Sequence, residues 1–248
     1  MSVRRIVAIG GGALQPELEN FALERYVLDA CGAARPRLLF VATASGEQPD
    51  LIARFAESYG ALGAELRVLR FFRRTLADLR AEALEADAIH VGGGNTRSML
   101  AVWREWGFDA ILREAWERGV LLCGSSAGSI CWFESGLTDS VAGTLGPLAA
   151  LGFLTGSHCP HYDGEPERRP RYRELVGCGA LPAGYACDDG AALVFENDAL
   201  AEVVAAKPNA RAYRVERDGA AARESALDVR RLAPVPGTRP AVHRSRIV

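Results

Sequence analysis

Val120-Leu121-Leu122-Cys123-Gly124-Ser125-Ser126-Ala127-Gly128 runs from an apolar stretch straight into a turn of small residues. The segment after it, Ser129 to Phe133, reads as its continuation into a helix. A serine between strand and helix is forced into a strained backbone conformation, and flanking glycines relieve the crowding. Its Oγ then projects from the carboxyl edge of a sheet, where doubly wound folds bind ligands. The amino end of the following helix favours negative charge developing there. Ser126 is therefore the candidate nucleophile, with an ordinary Gly/Ser turn as the alternative. Ser125 lacks the glycine two places away on each side, and Cys123 and Cys131 fall outside the turn centre, which disfavours a cysteine nucleophile.

Working outward, upstream apolar runs alternate with helical spacings. Arg5 to Ile9, Arg37 to Thr43, Glu65 to Phe71, Ala88 to Val91 and Val120 to Cys123 read as strands. Residues 16–30, 50–61 and 76–85 carry helical periodicity, as does a segment from Thr96 with Met99, Val102, Trp103 and Trp106 on one face. A further helix is expected from Asp109, an N-cap candidate, to Gly119, a C-cap candidate. Such alternation predicts an α/β fold, a doubly wound and mostly parallel sheet. Ala191 to Phe195, Leu200 to Val204 and Ala212 to Val215 are short strands, a small antiparallel C-terminal extension, and Pro234 to Val248 is loop-like. One hydrolytic domain over 1–248 is expected, with a core of about 1–205 and C-terminal strands and tail over about 206–248.

Bulk composition narrows the function classes. The chain has 248 residues, 49% apolar and 24% charged, as in an ordinary globular protein. A net charge of −2 gives no basic field for nucleic acid or anionic membrane. With no leader-like or bilayer-length apolar run, a soluble cytoplasmic protein is expected, monomer or homodimer. Six cysteines without CxxC spacing read as buried reduced thiols, and the four histidines show no zinc-site spacing, so neither metal nor cofactor is expected.

Acyl transfer needs two preset N–H donors for the oxyanion. The Ala127 amide supplies one; the loop Gly92-Gly93-Gly94-Asn95 offers the other. That loop completes no nucleotide fingerprint, nor does Gly10-Gly11-Gly12, which lines the same edge at most. For the base, His90 sits in an apolar strand and reads as a core histidine. His158 and His161 fall in a loop after the strand-like Leu151 to Leu154; Pro160 stiffens that loop beside His161, with His158 the fallback. Asp188-Asp189, at the start of an apolar strand, offer either an orienting acid or a turn cap. The order Ser, His, Asp differs from the Ser, acid, His of α/β-hydrolases, for which the base would have to be His243.

Val91-Gly92-Gly93-Gly94-Asn95-Thr96, the segment 124–140 and Cys159-Pro160-His161-Tyr162 together resemble peptidase family S51, in the right order over about residues 1–215. The family includes aspartyl dipeptidases and, more distantly, cyanophycinase. The resemblance implies a sheet of the class I glutamine-amidotransferase-like type. It matches Ser126 to the nucleophile, His161 to the base, Asp189 (Asp188 next) to the acid, and Gly93, Gly94 and Ala127 to the oxyanion hole. It implies hydrolysis of small peptides, among them dipeptides with amino-terminal aspartate. Arg168 and Arg171 then hold the substrate carboxylate, Asp139 its ammonium group, and Asn95 is a further contact. Arg169 and Arg173 read as solvated. Alternatives are a cyanophycinase-like isopeptide or amide hydrolase, an esterase, or a non-catalytic binding protein on the same scaffold. Cys159 before Pro160, and the segment 132–138, depart from the aspartyl dipeptidase pattern.

Overall fold

A computed structural model describes residues 3–12, 20–73 and 77–236. In chain order the first half comprises β1 (Arg5–Ile9), α1 (Ala22–Cys31), β2 (Arg37–Val41), α2 (Pro49–Ala61), β3 (Glu65–Leu69), α3 (Leu79–Glu85), β4 (Ala88–Val91), α4 (Thr96–Glu105), α5 (Phe108–Glu117), β5 (Leu121–Ser125) and α6 (Ala127–Ile130). The second half comprises β6 (Phe133–Thr138), β7 (Gly146–Ala149), β8 (Leu154–Cys159), α7 (Arg168–Gly177), β9 (Gly184–Cys187), β10 (Ala191–Glu196), β11 (Ala199–Ala205), β12 (Ala212–Asp218), β13 (Ala221–Ala226) and β14 (Arg230–Arg231).

The main sheet has the order β14-β11-β10-β1-β5-β4-β2-β3. Its five strands from β1 to β3 in that order are parallel; β10 and β11 extend it antiparallel. Both faces are covered, which is why its strands read as continuous apolar runs. Along β1, Ile6 and Ala8 join the cluster containing Met99, Trp103, Leu112 and Trp116, while Val7 and Ile9 face Leu23, Val27, Phe55 and Tyr59. The period of two thus divides one strand between two cores.

A second sheet, β13-β12-β9-β8-β6-β7, was not expected from the sequence. It joins parallel pairs (β6 with β8, β8 with β9) to antiparallel ones (β6 with β7, β9 with β12, β12 with β13). Helix α7 packs Tyr172, Leu175 and Val176 against it with Tyr162 and Val215.

Several local expectations are corrected. Helix α5 begins after Gly107, whose φ of 65° makes it the N-cap, so Asp109 lies in the first turn. Its last cap is Arg118, with Gly119 one residue beyond at φ 94°. Trp106 follows α4 and is 47% exposed rather than part of the buried face. The helix after the serine turn is one turn long, because Phe133 already starts β6. Of the cysteines, Cys123, Cys131, Cys159 and Cys187 are buried, Cys31 is half-buried and Cys178 is exposed; all six are free thiols. The early part of the expected 16–30 helix, the start of the 76–85 helix, most of the tail and His243 lie outside the described residues. Among the described residues no helix is long and apolar enough to cross a membrane.

Candidate active site

Strand β5 delivers Ser126 to the carboxyl edge of the main sheet. Its neighbour Ser125 pairs with Ile9 on β1, and Ser126 N–H donates to Ile9 O at 3.3 Å. The turn holds Ser126 at φ 58°, ψ −117°, a conformation that costs an L-residue ~1–3 kcal/mol and persists only where packing enforces it. Packing does so here. A Cβ on Gly128 would lie 2.1 Å from Val91 O, so only glycine lets the elbow sit this close to β4. Being one turn long, α6 contributes less dipole than a full helix; what it offers is the Ala127 N–H, the first amide of the turn, which has no intrahelical acceptor.

The glycine loop after β4 lies beside this elbow. A Cβ built on Gly93 would come within 3.2 Å of Ser126 Cβ and 3.7 Å of its Oγ. Val41 O and Ala44 O take the N–H groups of Gly92 and Asn95, at 3.1 and 2.7 Å. The Gly93 and Gly94 amides between them carry no hydrogen bond among the described residues. Asn95 itself is occupied: its Oδ1 caps α4 through Ser98 N at 2.9 Å, and its Nδ2 donates to Ser140 O at 2.9 Å. Asn95 therefore ties the end of β6 to the glycine loop.

His161 sits two residues beyond β8, past Pro160, at φ 54°. Its N–H donates to Gly10 O at 2.9 Å, the residue after Ile9. His161 Nδ1 lies 2.7 Å from Asp189 Oδ1. A carboxylate can only accept, so Nδ1 carries the proton and Nε2 is left as the basic nitrogen. Burial, the largest influence, pushes the Asp189 carboxyl up, but the hydrogen bond and charge interaction with His161 and the positive charge of Lys207 and Arg168 together outweigh it. The net shift is downward, so Asp189 is ionised at neutral pH. Its own N–H donates to Asp163 Oδ1 at 2.8 Å.

The adjacent carboxylate behaves differently. Asp188 is buried and turns away to accept the Arg211 N–H at 2.8 Å. Burial, joined by the negative charge of Asp163 and Asp189, raises its pKa to about 6. His158 is buried in β8, where Nε2 lies 3.1 Å from Ser129 Oγ, so the fallback base belongs to a strand and not to a loop. His90 is a core residue beside Tyr59 (3.1 Å) and Cys123 (3.4 Å), with burial lowering its pKa to about 3.

The cationic candidates divide. Arg168 is buried; Nη1 donates to Leu137 O at 3.1 Å, Nε to Glu165 Oε2, and Nη2 makes a long 3.5 Å contact with the exposed Asp139. Arg171 donates to Leu145 O at 3.1 Å and to Glu174 at 2.8 Å. Arg169 pairs with Glu224, and Arg173 reaches Ala222 O at 3.5 Å. An open cavity of about 520 Å³, walled by Asp139, Leu145, Gly164, Glu165 and Glu167, lies beside this group. It adjoins the His161–Asp189 pair, because a Cβ on Gly164 would lie 2.6 Å from Asp189 Oδ2.

Sequence reasoning gave Gly10 and Gly11 at most a place along the edge, and Asp163 no role. The signal for the first two was the glycine run directly after β1; Gly11 abuts the pair, since its built Cβ would fall 2.0 Å from Asp189 Oδ1 and 2.3 Å from His161 Nδ1. Among the described residues no group of three or more His, Cys, Asp or Glu side chains could hold a metal ion.

Solved structures show a similar fold. The chain is similar in fold to a peptidase from an acI-B1 Actinobacterium (TM-score 0.67, 16% identity, 94% of this chain and 97% of that one). A putative peptidase E from Listeria monocytogenes EGD-e also matches (TM-score 0.59, 18% identity, 82% of this chain and 97% of that one). In sequence it is 49% identical over 213 residues to the uncharacterized peptidase YgaJ of Bacillus subtilis strain 168, across 86% of this chain and 92% of the relative. The model of peptidase family S51 matches residues 6–203, a span that holds the serine elbow, the glycine loop, His161 and Asp189 together. On that match and that relative, the chain belongs to peptidase family S51.

Proposed function

We propose that this peptidase is of the serine type, with Ser126 as nucleophile, His161 as general base and Asp189 as the acid that orients it. The observation carrying this reading is the 2.7 Å His161 Nδ1–Asp189 Oδ1 contact, built on the strand end that also receives the Ser126 amide. His161 Nε2 takes the Ser126 proton as Oγ attacks the scissile carbonyl, forming the tetrahedral intermediate. Its oxyanion is met by the Ala127 amide and the amides of Gly93 and Gly94. His161 returns the proton to the leaving amine, and water then hydrolyses the acyl-enzyme by the same route.

For substrate, the reading is a small peptide, foremost a dipeptide with amino-terminal aspartate. The long Arg168–Asp139 contact marks where a substrate carboxylate would exchange in, while Asp139 and Glu165 would meet its ammonium group. Arg171 and Asn95 would act indirectly, by holding Leu145 and Ser140, since their polar atoms are already engaged. A cyanophycinase-like amide hydrolase is the second reading, favoured by the three carboxylates on the cavity wall, which suit a basic side chain.

A fluorophosphonate probe tests the chemistry: labelling of the wild type, lost in Ser126→Ala, is expected. A dipeptide panel varying the first residue, with Asp-X beside β-Asp-Arg, tests the substrate. No labelling together with no hydrolysis of any peptide would leave a binding protein on this scaffold.

A further inference from the structure

Beneath the serine elbow lies a second polar layer. Ser126 O accepts three hydrogen bonds, from Ser129 N at 2.9 Å, Ile130 N at 3.0 Å and Ser129 Oγ at 2.8 Å. Ser129 is fully buried, and its Oγ also lies 3.1 Å from His158 Nε2. His158 is fully buried too, stacked on Phe133 at 4.8 Å between ring centroids, with Nδ1 3.2 Å from Tyr185 O.

A carbonyl has only lone pairs to offer, so His158 Nδ1 carries the ring proton. Burial lowers the pKa to about 3, against the raising influence of the Tyr185 contact, and the ring stays neutral. Nε2 is then a bare acceptor. The single Ser129 hydroxyl proton is shared between two acceptors, nearer Ser126 O at 2.8 Å than Nε2 at 3.1 Å, and the two contacts fix the Ser129 rotamer against the carbonyl of the strained residue.

Ser126 C=O and Ala127 N–H belong to one planar peptide unit, and none of the described peptide bonds is cis, so the two groups point in opposite directions. Whatever holds the carbonyl on the buried side therefore aims the Ala127 N–H on the open side. Donors on a carbonyl also polarise its amide and strengthen the N–H as a donor.

We propose that His158 and Ser129 are positioning residues that aim the Ala127 amide at the oxyanion, acting through the Ser126 carbonyl. This rests on Ser126 being the nucleophile. It gives the second histidine a task distinct from proton transfer, at the opposite edge of the Ser126–Ala127 peptide unit from the reacting atoms.

Ser129→Ala, His158→Gln and the double variant test it in the full chain. Three readouts are the fluorophosphonate labelling rate of Ser126, kcat and KM on 4-nitrophenyl acetate, and the Kd of phenylboronic acid, whose tetrahedral adduct places an oxygen in the oxyanion hole. Each single variant is expected to lose about tenfold in labelling rate and in kcat, less than the 10²–10³ for removing an oxyanion donor outright. KM should stay within about twofold, the sign of an interaction made only in the transition state. Boronic acid Kd should rise in step with the loss of kcat, and the double variant should match the single ones. Folded variants with wild-type labelling rate and boronic acid affinity would overturn the proposal. So would a change confined to KM, or single effects that multiply in the double variant. Should His158→Gln fold poorly, Ser129→Ala, the smaller change, decides by itself. A wild type that is not labelled overturns the serine reading and this proposal together, whereas labelled but insensitive variants overturn the proposal alone.

Discussion

Ser126 and His161 hang from consecutive carbonyls of one strand end: Ile9 O receives the Ser126 N–H at 3.3 Å, and Gly10 O receives the His161 N–H at 2.9 Å. Their relative placement is thus set by main chain, not by flexible side chains. Gly11, the next residue, packs against the His161–Asp189 contact, and Gly11 O accepts Gly190 N–H at 2.8 Å. One short segment spaces all three groups.

That relationship makes Gly11→Ala a sharp test. The added Cβ would lie 2.0 Å from Asp189 Oδ1, and because the neighbouring main chain is held on both sides, the pair must separate. A misplacement of about 1 Å costs on the order of 10²-fold in rate. Steady-state kinetics should show kcat reduced by that order with the circular dichroism spectrum unchanged. Near-normal kcat would argue that the pair tolerates movement and is not the base system.

The two adjacent aspartates separate by role. Asp189→Asn replaces an acceptor at His161 Nδ1 with a group that can donate, freeing the ring to adopt the wrong tautomer; kcat should fall by about 10⁴. Asp188→Asn keeps an oxygen for the Arg211 N–H and should leave kcat within about twofold. Equal losses would reject Asp189 as the specific partner.

Asp188 also predicts a pH effect on stability. Its carboxyl is raised from 3.8 to about 6, chiefly by burial, so the folded chain binds more protons than the unfolded one between those values. Stability from this group is therefore present below about pH 4 and lost as pH rises through about 6. Asp188→Asn removes the cost of burying the charge. Its Tm should exceed wild type at pH 8, and the advantage should vanish by pH 4. An advantage that grows toward acid would reverse the sign and refute the account.

How much of this was legible in the sequence follows from range. Apolar runs such as Arg37 to Val41 and helical spacings such as Met99 and Trp103 are local patterns, and the main sheet follows from them. The second sheet was not legible. Strands β6 to β9 are interrupted by glycine, serine and histidine, as in Leu154–Cys159, and β12 reads as a tail strand until it pairs with β9. At the site, Ser126 was readable because the strain of its turn leaves glycines in the sequence. The choice between Asp188 and Asp189 was not, since it depends on which carboxylate the β9–β10 turn directs at His161. Arg168 was legible only as a cation, for a related reason: an arginine in sequence carries no sign of Glu165 and Leu137 O already engaging it.

Thiol chemistry offers an independent test of the proposed serine nucleophile against a cysteine one. Cys178 is the exposed thiol, and Cys31 is half-buried with its pKa pushed up to about 12, chiefly by burial. Cys123 and Cys131, nearest the turn in sequence, are fully buried with their pKa raised by burial, so neither supplies a thiolate. Titration with a disulfide reagent under native conditions should show one fast thiol, absent in Cys178→Ser, and no loss of activity. Inactivation that tracks modification would point to a cysteine nucleophile.

Arg168 decides the substrate reading. Its guanidinium makes three separate contacts from a buried position, at Leu137 O and at the exposed carboxylates of Glu165 and Asp139, and only the last, at 3.5 Å, is long. A lysine has a single nitrogen and cannot hold Leu137 O and Glu165 while presenting a second N–H pair to a substrate carboxylate. Arg168→Lys should therefore raise KM for Asp-X dipeptides by about tenfold or more, the worth of one charge-assisted hydrogen bond, with a smaller change in kcat. The lost buried contacts should also lower Tm by a few degrees. The discriminating comparison is with a dipeptide lacking an acidic side chain. If its KM rises as much as that of Asp-X, Arg168 is scaffolding for the Leu137 and Glu165 segments. If only Asp-X suffers, the guanidinium reads the substrate carboxylate. An Arg168→Lys enzyme that gains on β-Asp-Arg relative to Asp-X would instead assign the cavity's carboxylates, Asp139 and Glu165, the recognition of a basic side chain.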